Sequence, residues 1–418
     1  MRILQINKFF YRRGGAEAVF FDTIKGLRER GHEVSEFSMA HPSNLPSDYA
    51  AYFASALPEL LGKNEFAGAV AGKHDPAMAW KIFKRLFRSK EIEQKLGALV
   101  MAAEPEVAHL HNVYHHLSAS TFIKLYELKV PTVLTVHDVF PLCPNHSLLR
   151  GETLCEECYK NKPYNCIRYR CINKKLLPSL VGTLEAYYYR LKKIWKRVDL
   201  YVCPSRFMAD KLVDWGFPAE KMRVAPNPFR PQAVIPPLGD KVVYMGRIHY
   251  EKGIKILMEA AKDLRDYKLL IAGNGPEDGW VQEFARKNIL SNIERVGWVG
   301  GDSWQKVMRE AKVIVVPSLF YENCSMAILE AFSYGRIVVS VDRGGNPELI
   351  KDGISGFLCK PEDPADLARV IKCAMDTSDE EAAVISANAV KTLEQNHRPE
   401  DYFDRLEAVY TEAVNLKK

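Results

Sequence analysis

Short apolar runs recur along the chain, separated by longer stretches that carry one apolar face. In the first half these runs are 2–7, 33–38, 107–111, 132–137 and 200–204. In the second they are 242–246, 268–273, 293–299, 313–317 and 337–341. They are mostly apolar and β-branched, as expected of strands buried on both faces. Between the first two runs, residues 15–30 put Val19, Phe20, Ile24 and Leu27 on one helical face, and Gly31 ends the pattern. Alternating β and α elements predict an α/β protein with doubly wound parallel sheets. The pattern runs twice, interrupted by PNPFRPQAVIPP at 226–237, where proline forbids a central strand or a helix interior. The expected organisation is a Rossmann-like domain over 1–230, a second over 231–390, and a terminal helical segment over 391–418 that packs back on the first.

Length supports two cores, since 418 residues exceed what one ordinary core organises. A hydrophobic share of 47% and a charged share of 26% are those of a globular chain. No apolar run reaches the roughly 18 residues of a membrane span. The opening MRILQINKFF reads as a first strand and not as a signal peptide, so the expected compartment is the cytoplasm, with reduced cysteines. Charge divides unevenly: 34 basic and 23 acidic residues give +11 over 1–235, while 24 and 29 give −5 over 236–418. A basic first half points to an anionic partner: nucleic acid, anionic lipid or a phosphorylated substrate.

In open α/β sheets ligands lie beyond the carboxyl ends of strands. After the first run, FFYRRGGAE places Gly14 and Gly15 where a helix opens, which suits either an anion or a tight turn. The GxGxxG fingerprint is absent, which disfavours a dinucleotide oxidoreductase. His111 and Asn112 end the third run, and His137 and Asp138 end the fourth. VVYMGRIHYEKG sets Arg247 and Lys252 at a strand-to-helix turn, able to neutralise a diphosphate. In PSLFYENCSMAILEAFSYG a helix is expected to begin near Asn323–Ser325 and to end at Gly335. Its first N–H groups suit phosphate or sugar oxygens. Glu322 and Glu330 flank this start about 12 Å apart at the helical rise, too far for a retaining glycosidase pair but suited to two hydroxyl-bearing ends of one ligand.

With GGAE, GRIHYEKG, AGNGPE, VGWVG, PSLFYENCSMAILEAFSYG and GGNPELIKDGISGFL in this order, the chain resembles glycosyltransferase family 4, over nearly its whole length. The resemblance implies the GT-B fold, two Rossmann-like domains facing across a cleft. It also implies retaining, nucleotide-sugar-dependent transfer without a catalytic metal or other cofactor. Residue by residue, it implies that Arg247 and Lys252 hold the donor diphosphate and that Glu330 takes the ribose hydroxyls. Glu322 would lie at the donor sugar, with the backbone of Asn323, Cys324, Ser325 and Met326 binding its hydroxyls and the phosphate. Gly273, Glu277 and Val299 would frame the base. Gly15 would close on the diphosphate, and His137 would lie near the reacting carbon, with His111, Asn112 and Asp138 on the acceptor side. Many relatives have Glu-Gly-Phe-Gly where this chain has Glu-Asn-Cys-Ser, so the donor sugar is expected to be decided there.

The first half should then take the acceptor, which in this family is often a saccharide linked to polyprenyl diphosphate. Two basic, aromatic-rich segments suit an anionic membrane surface or a solvated face over a buried stripe. They are 78–96, with Lys81, Lys84, Arg85, Arg88 and Lys90, and 184–198, with Leu184, Tyr188, Leu191 and Trp195 at helical spacing. Five of nine cysteines fall in an insertion at 143–171. Cys155 and Cys158 in C-x2-C spacing, followed by Cys166 and Cys171, allow a structural zinc, disulfides or free thiols. Two alternatives to the transferase are a sugar-nucleotide epimerase, for which no elimination motif is found, and a nucleic-acid-binding protein, which would not need Glu322 and Glu330. The expected partners therefore exclude nucleic acid.

Overall fold

The computed structural model describes residues 1–56 and 76–417. The first domain holds β1 (Arg2–Ile6), β2 (Glu33–Phe37), β3 (Val107–Leu110), β4 (Thr132–Thr135), a small hairpin of β5 (Leu149–Arg150) and β6 (Thr153–Leu154), then β7 (Leu200–Cys203) and β8 (Met222–Val224). Apart from the hairpin these form one parallel sheet in the order β2-β1-β3-β4-β7-β8. The second domain holds β9 (Lys241–Met245), β10 (Leu269–Ala272), β11 (Ile293–Gly297), β12 (Ala311–Val316), β13 (Ile337–Val341) and β14 (Phe357–Cys359), parallel in the order β11-β10-β9-β12-β13-β14. All ten apolar runs are strands, and two doubly wound sheets result.

Each sheet is buried on both faces, which explains the continuous apolar runs. In β1, Leu4 and Ile6 face one cluster with Leu110, Leu134 and Tyr201, while Ile3 faces another with Phe20, Val107 and Val133. In the second sheet, Val242 and Tyr244 point one way and Val243 the other. The second face of the first sheet is completed by Tyr402, Phe403, Leu406 and Tyr410 of the helix Pro399–Asn415. The preceding helix, Asp379–Asn396, lays Ala389 and Leu393 against the second domain.

The segment 226–237 is irregular, as its prolines require. One end is fixed by Arg336, fully buried, whose guanidinium donates to the carbonyls of Pro236, Pro237, Ala311 and Tyr334. At the other end, the Phe229 N–H donates to the His397 carbonyl at 2.8 Å, and the His397 Nδ1–H donates to the Asn227 carbonyl at 2.8 Å.

Two helical expectations change. The 184–198 pattern is not one helix: Leu176–Leu191 ends first, and a 3-10 turn, Ile194–Arg197, follows. Trp195 packs into the core instead of continuing the Leu184–Leu191 face. The 78–96 segment is divided between Pro76–Phe87 and Lys90–Ala103, with Ser89 capping the second by accepting the Ile92 N–H. Arg85 turns inward and donates through Nε to the His116 carbonyl at 3.0 Å. The Lys81 side chain lies outside the described residues.

Candidate active site

The second sheet reverses its winding between β9 and β12, which are direct neighbours. Loops leaving the carboxyl ends of two such strands diverge and leave a crevice. Arg247 and Lys252 follow β9; Ser318, Glu322 and the helix Met326–Ser333 follow β12. Lys252 Nζ meets Glu322 Oε1 at 2.8 Å, and the Ser318 hydroxyl donates to the same oxygen at 2.7 Å. Glu322 is buried, so this pairing satisfies a carboxylate held away from bulk water. Arg247 is exposed and reaches Glu251 Oε2 at 3.0 Å. Gly253 fixes where Lys252 sits: its φ is +72°, and a Cβ there would stand 1.8 Å from the Pro317 carbonyl oxygen of the β12 loop.

Ser325 precedes the first turn of the helix Met326–Ser333, one position later than the sequence pattern indicates. Glu330 lies on this helix, half-buried. Burial pushes its carboxyl up to about 7, with the Trp304 indole N–H acting in the opposite direction. Cys324 is buried among Ile328, Leu329 and Phe332, and desolvation pushes its thiol up to about 12. Gly273 (φ +131°) lets the loop after β10 lie on the loop after β9: a Cβ there would stand 1.8 Å from the Gly246 carbonyl oxygen. Glu277 immediately precedes the helix that follows this loop and donates its N–H to the Ile248 carbonyl at 3.2 Å. Val299 is half-buried beside the core of the second domain.

Gly15 and the ends of β3 and β4 bring the first domain to this crevice. Gly15, which opens the helix Gly15–Glu29, packs on Met326: a Cβ there would stand 2.7 Å from Met326 Cγ. The ends of β3 and β4 supply the rest. His137 is half-buried, whereas His111 is fully buried behind it. The His111 Nε2–H donates to Gln5 Oε1 at 3.1 Å, so His111 Nδ1 is the acceptor for the His137 Nε2–H at 2.8 Å. That bond orients His137 and leaves its Nδ1 as an acceptor. Burial lowers His137 to about 4 and His111 well below its ordinary value, so both are neutral at pH 7. Asn112 donates its N–H to Asn7 Oδ1 at 3.1 Å, and Asp138 Oδ1 accepts the Phe140 N–H at 2.9 Å.

Several neighbours were not singled out from the sequence. Ser318 and Trp304 carry no spacing signal toward Glu322 and Glu330. Gln5 joins the histidines to Tyr410, whose hydroxyl lies 2.7 Å from His109 Nδ1, although Tyr410 is 405 positions from Gln5. Beside them His115 Nε2 meets His146 Nε2 at 2.8 Å, and His115 Nδ1 meets the buried Glu185 at 3.0 Å.

Cys155, Cys158, Cys166 and Cys171 all carry free thiols. Among the described residues no group of three or more His, Cys, Asp or Glu side chains is placed to hold a metal ion. Burial pushes Cys158 up to about 12, while a hydrogen bond with Cys166 holds the Cys171 thiol low.

Residues 13–232 match the family model described as Glycosyltransferase Family 4, and residues 239–377 match Glycosyl transferases group 1. The chain belongs to glycosyltransferase family 4. An uncharacterized glycosyltransferase of Methanocaldococcus jannaschii is 24% identical to this family 4 enzyme over 349 residues, 82% of this chain and 80% of the relative. A lipopolysaccharide 1,2-N-acetylglucosaminetransferase of Salmonella typhimurium is 27% identical over 273 residues, 59% and 69% of the two chains. Anabaena HepE, solved with UDP and glucose, superposes with a TM-score of 0.66 at 16% identity, covering 98% of this chain and 99% of that one. The fold of the family 4 enzyme is therefore GT-B, and its activity is glycosyl transfer.

Proposed function

We propose that this enzyme moves a sugar, with retention, from a nucleoside diphosphate sugar to a saccharide acceptor carried on a lipid diphosphate, in cell-surface polysaccharide synthesis. The observation that carries this reading is the convergence of Lys252, Glu322 and the start of the helix Met326–Ser333 against Gly15. In this reading Arg247 and Lys252 neutralise the diphosphate as its charge grows during departure. The backbone from Asn323 through Cys324 and Ser325 to Met326, with Glu322, takes the sugar. Glu330 accepts from the ribose hydroxyls, while Gly273, Glu277 and Val299 frame the base. His137, neutral and oriented by His111, lies beside the reacting carbon, with Asn112 and Asp138 toward the acceptor. The departing phosphate oxygen takes the acceptor proton on the same face. The residues described supply this charge stabilisation from Arg247, Lys252 and backbone N–H groups.

A thermal-unfolding screen of UDP-, GDP- and ADP-sugars tests the donor class, because a ligand bound only to the native state raises its melting temperature. No stabilisation by any of them overturns the reading. Glu330 gives a sharper outcome. Its carboxyl moves from about 4.5 in an unfolded chain to about 7 in the fold. Between those values the folded protein keeps a proton that the unfolded chain has lost, so this group's contribution to stability falls as pH rises through the window. A ribose diol is accepted by the carboxylate form. Nucleotide binding should therefore release a proton at pH 6.5, read by calorimetry in buffers of different ionisation enthalpy, and affinity should climb through pH 7. In Glu330→Gln that proton release should vanish, leaving only the titration of the nucleotide itself.

The membrane reading rests on one face of the helix Leu176–Leu191. Leu176, Leu177, Leu180, Leu184 and Leu191 are exposed there, beside exposed Lys174, Lys175, Lys192 and Lys193. Apolar side chains in a basic frame match an anionic interface. Among the described residues no helix is long and apolar enough to cross a membrane. Co-sedimentation with anionic liposomes is expected at low salt, weakened by salt, and reduced several-fold by Leu177→Glu with Leu180→Glu while nucleotide binding is retained. Equal recovery of both forms with the vesicles would refute it.

A further inference from the structure

Asn323 stands where the family resemblance implies glycine, and its side chain both donates and accepts a hydrogen bond. It is 8% exposed, and both ends of its amide reach the first domain. Nδ2 donates to the Val136 carbonyl at 2.6 Å, and Oδ1 accepts from the Ser205 hydroxyl at 2.6 Å. A carbonyl can only accept, so the amide has one orientation that satisfies both partners. Neither partner is incidental. Val136 directly precedes His137. Ser205 caps the helix Arg206–Asp214, where its oxygen also accepts the Met208 N–H at 3.2 Å.

Other contacts cross the same boundary. Glu348 accepts the N–H groups of Arg206 and Phe207 at 2.9 and 2.5 Å, and the Tyr321 hydroxyl donates to Glu156 at 2.8 Å. Among the described residues, only Asn323 joins the position next to Glu322 directly to the position next to His137. Glycine has no atoms with which to do so.

We propose that Asn323 is a positioning residue: its amide fastens the Glu322–Met326 loop to the end of β4 and so sets His137 against the donor sugar when the cleft is shut. This deepens the proposed transferase reading and rests on it. Choice among donor sugars then falls to the backbone of this loop and not to the Asn323 side chain. Two hydrogen bonds between the domains must break if the domains part, so they stabilise the shut form over an open one, which is how a few contacts bias domain closure.

The test uses the full chain, with UDP, UDP-glucose and, where the screen selects another donor, that nucleotide sugar. Asn323→Ala is expected to bind UDP within about threefold of the unaltered protein. Its kcat for donor hydrolysis should fall about 10- to 100-fold with a smaller change in KM, and X-ray scattering should show a larger radius of gyration in the UDP complex. Asn323→Asp is the discriminating variant. Its carboxylate still accepts from Ser205 but repels the Val136 carbonyl. Once protonated, it can donate to that carbonyl again. Its kcat relative to that of Asn323→Ala should therefore rise as pH falls, a trend that loss of packing alone would not produce. A kcat within twofold in Asn323→Ala, or parallel pH profiles for the two variants, overturns the proposal. If the unaltered protein neither binds nor hydrolyses any nucleotide sugar, the donor reading fails separately. Scattering of the free chains then decides the clasp: equal radii for Asn323→Ala and the unaltered chain overturn it.

Discussion

Lys252→Ala should lower turnover of the nucleotide sugar by about 100- to 1,000-fold, the loss typical of removing one donor aimed at developing transition-state charge. The structure makes this residue more than a surface cation. Gly253 allows no side chain in front of the Pro317 carbonyl, so the turn that carries Lys252 is pressed against the β12 loop. Nζ lies 2.8 Å from Glu322 Oε1, and in the proposed reading it also meets the leaving diphosphate. Without the ammonium, Glu322 keeps the Ser318 hydroxyl as its hydrogen bond, so the fold should survive. Steady-state hydrolysis, alongside circular dichroism and melting, separates the two effects. Donor affinity should fall less than kcat, because the charge that Lys252 meets grows as the bond breaks. Lys252→Arg should recover only part of the rate, since a planar fork cannot occupy the site of a compact ammonium. A folded Lys252→Ala protein with unchanged kcat would remove Lys252 from the chemistry.

The second large effect is on stability. Arg336→Leu should destabilise the second domain by about 3–5 kcal/mol, since each buried polar group left without a partner costs about 1–3 kcal/mol. The guanidinium satisfies Pro237, Ala311 and Tyr334 carbonyls at 2.8, 2.9 and 2.8 Å, together with that of Pro236. It is fully buried, and desolvation lowers it to about 10, so its environment is costly and only the carbonyl set offsets that cost. Leucine has neither the reach nor the donors. Urea unfolding should show an earlier transition for the variant, and Arg336→Lys should regain little, because one ammonium cannot reach four carbonyls in a plane. A midpoint shift within the scatter of surface substitutions would refute this account.

The regular part of the fold was legible because strands buried on both faces have no polar alternation to confuse them. The runs 242–246 and 313–317 are the strands Lys241–Met245 and Ala311–Val316, each within two residues of its expected start. The edge strands Met222–Val224 and Phe357–Cys359 escaped: each is three residues long and partly exposed, with little burial to mark it. The crevice between the loops after β9 and β12 was legible because its residues follow strand ends within a few positions. The first-domain side was less so, since its polar chains join distant segments. Gln5, His109, His111, His137 and Tyr410 meet only after folding. Trp195 shows the limit of periodicity: the spacing 184, 188, 191, 195 is helical, but Lys193 adopts φ 52° and turns the chain before the pattern ends.

The stitch between Phe229 and His397 bears on motion. The chain passes between the domains twice, through 226–237 and again near His397, and these two passages are hydrogen-bonded to each other. A single strand would let the domains swing and also twist. Two strands joined side by side resist torsion and leave bending as the soft coordinate. In the closing motion proposed above, the cleft would then work as a door on paired pins, and each closure would return Asn323 to Val136 in the same register.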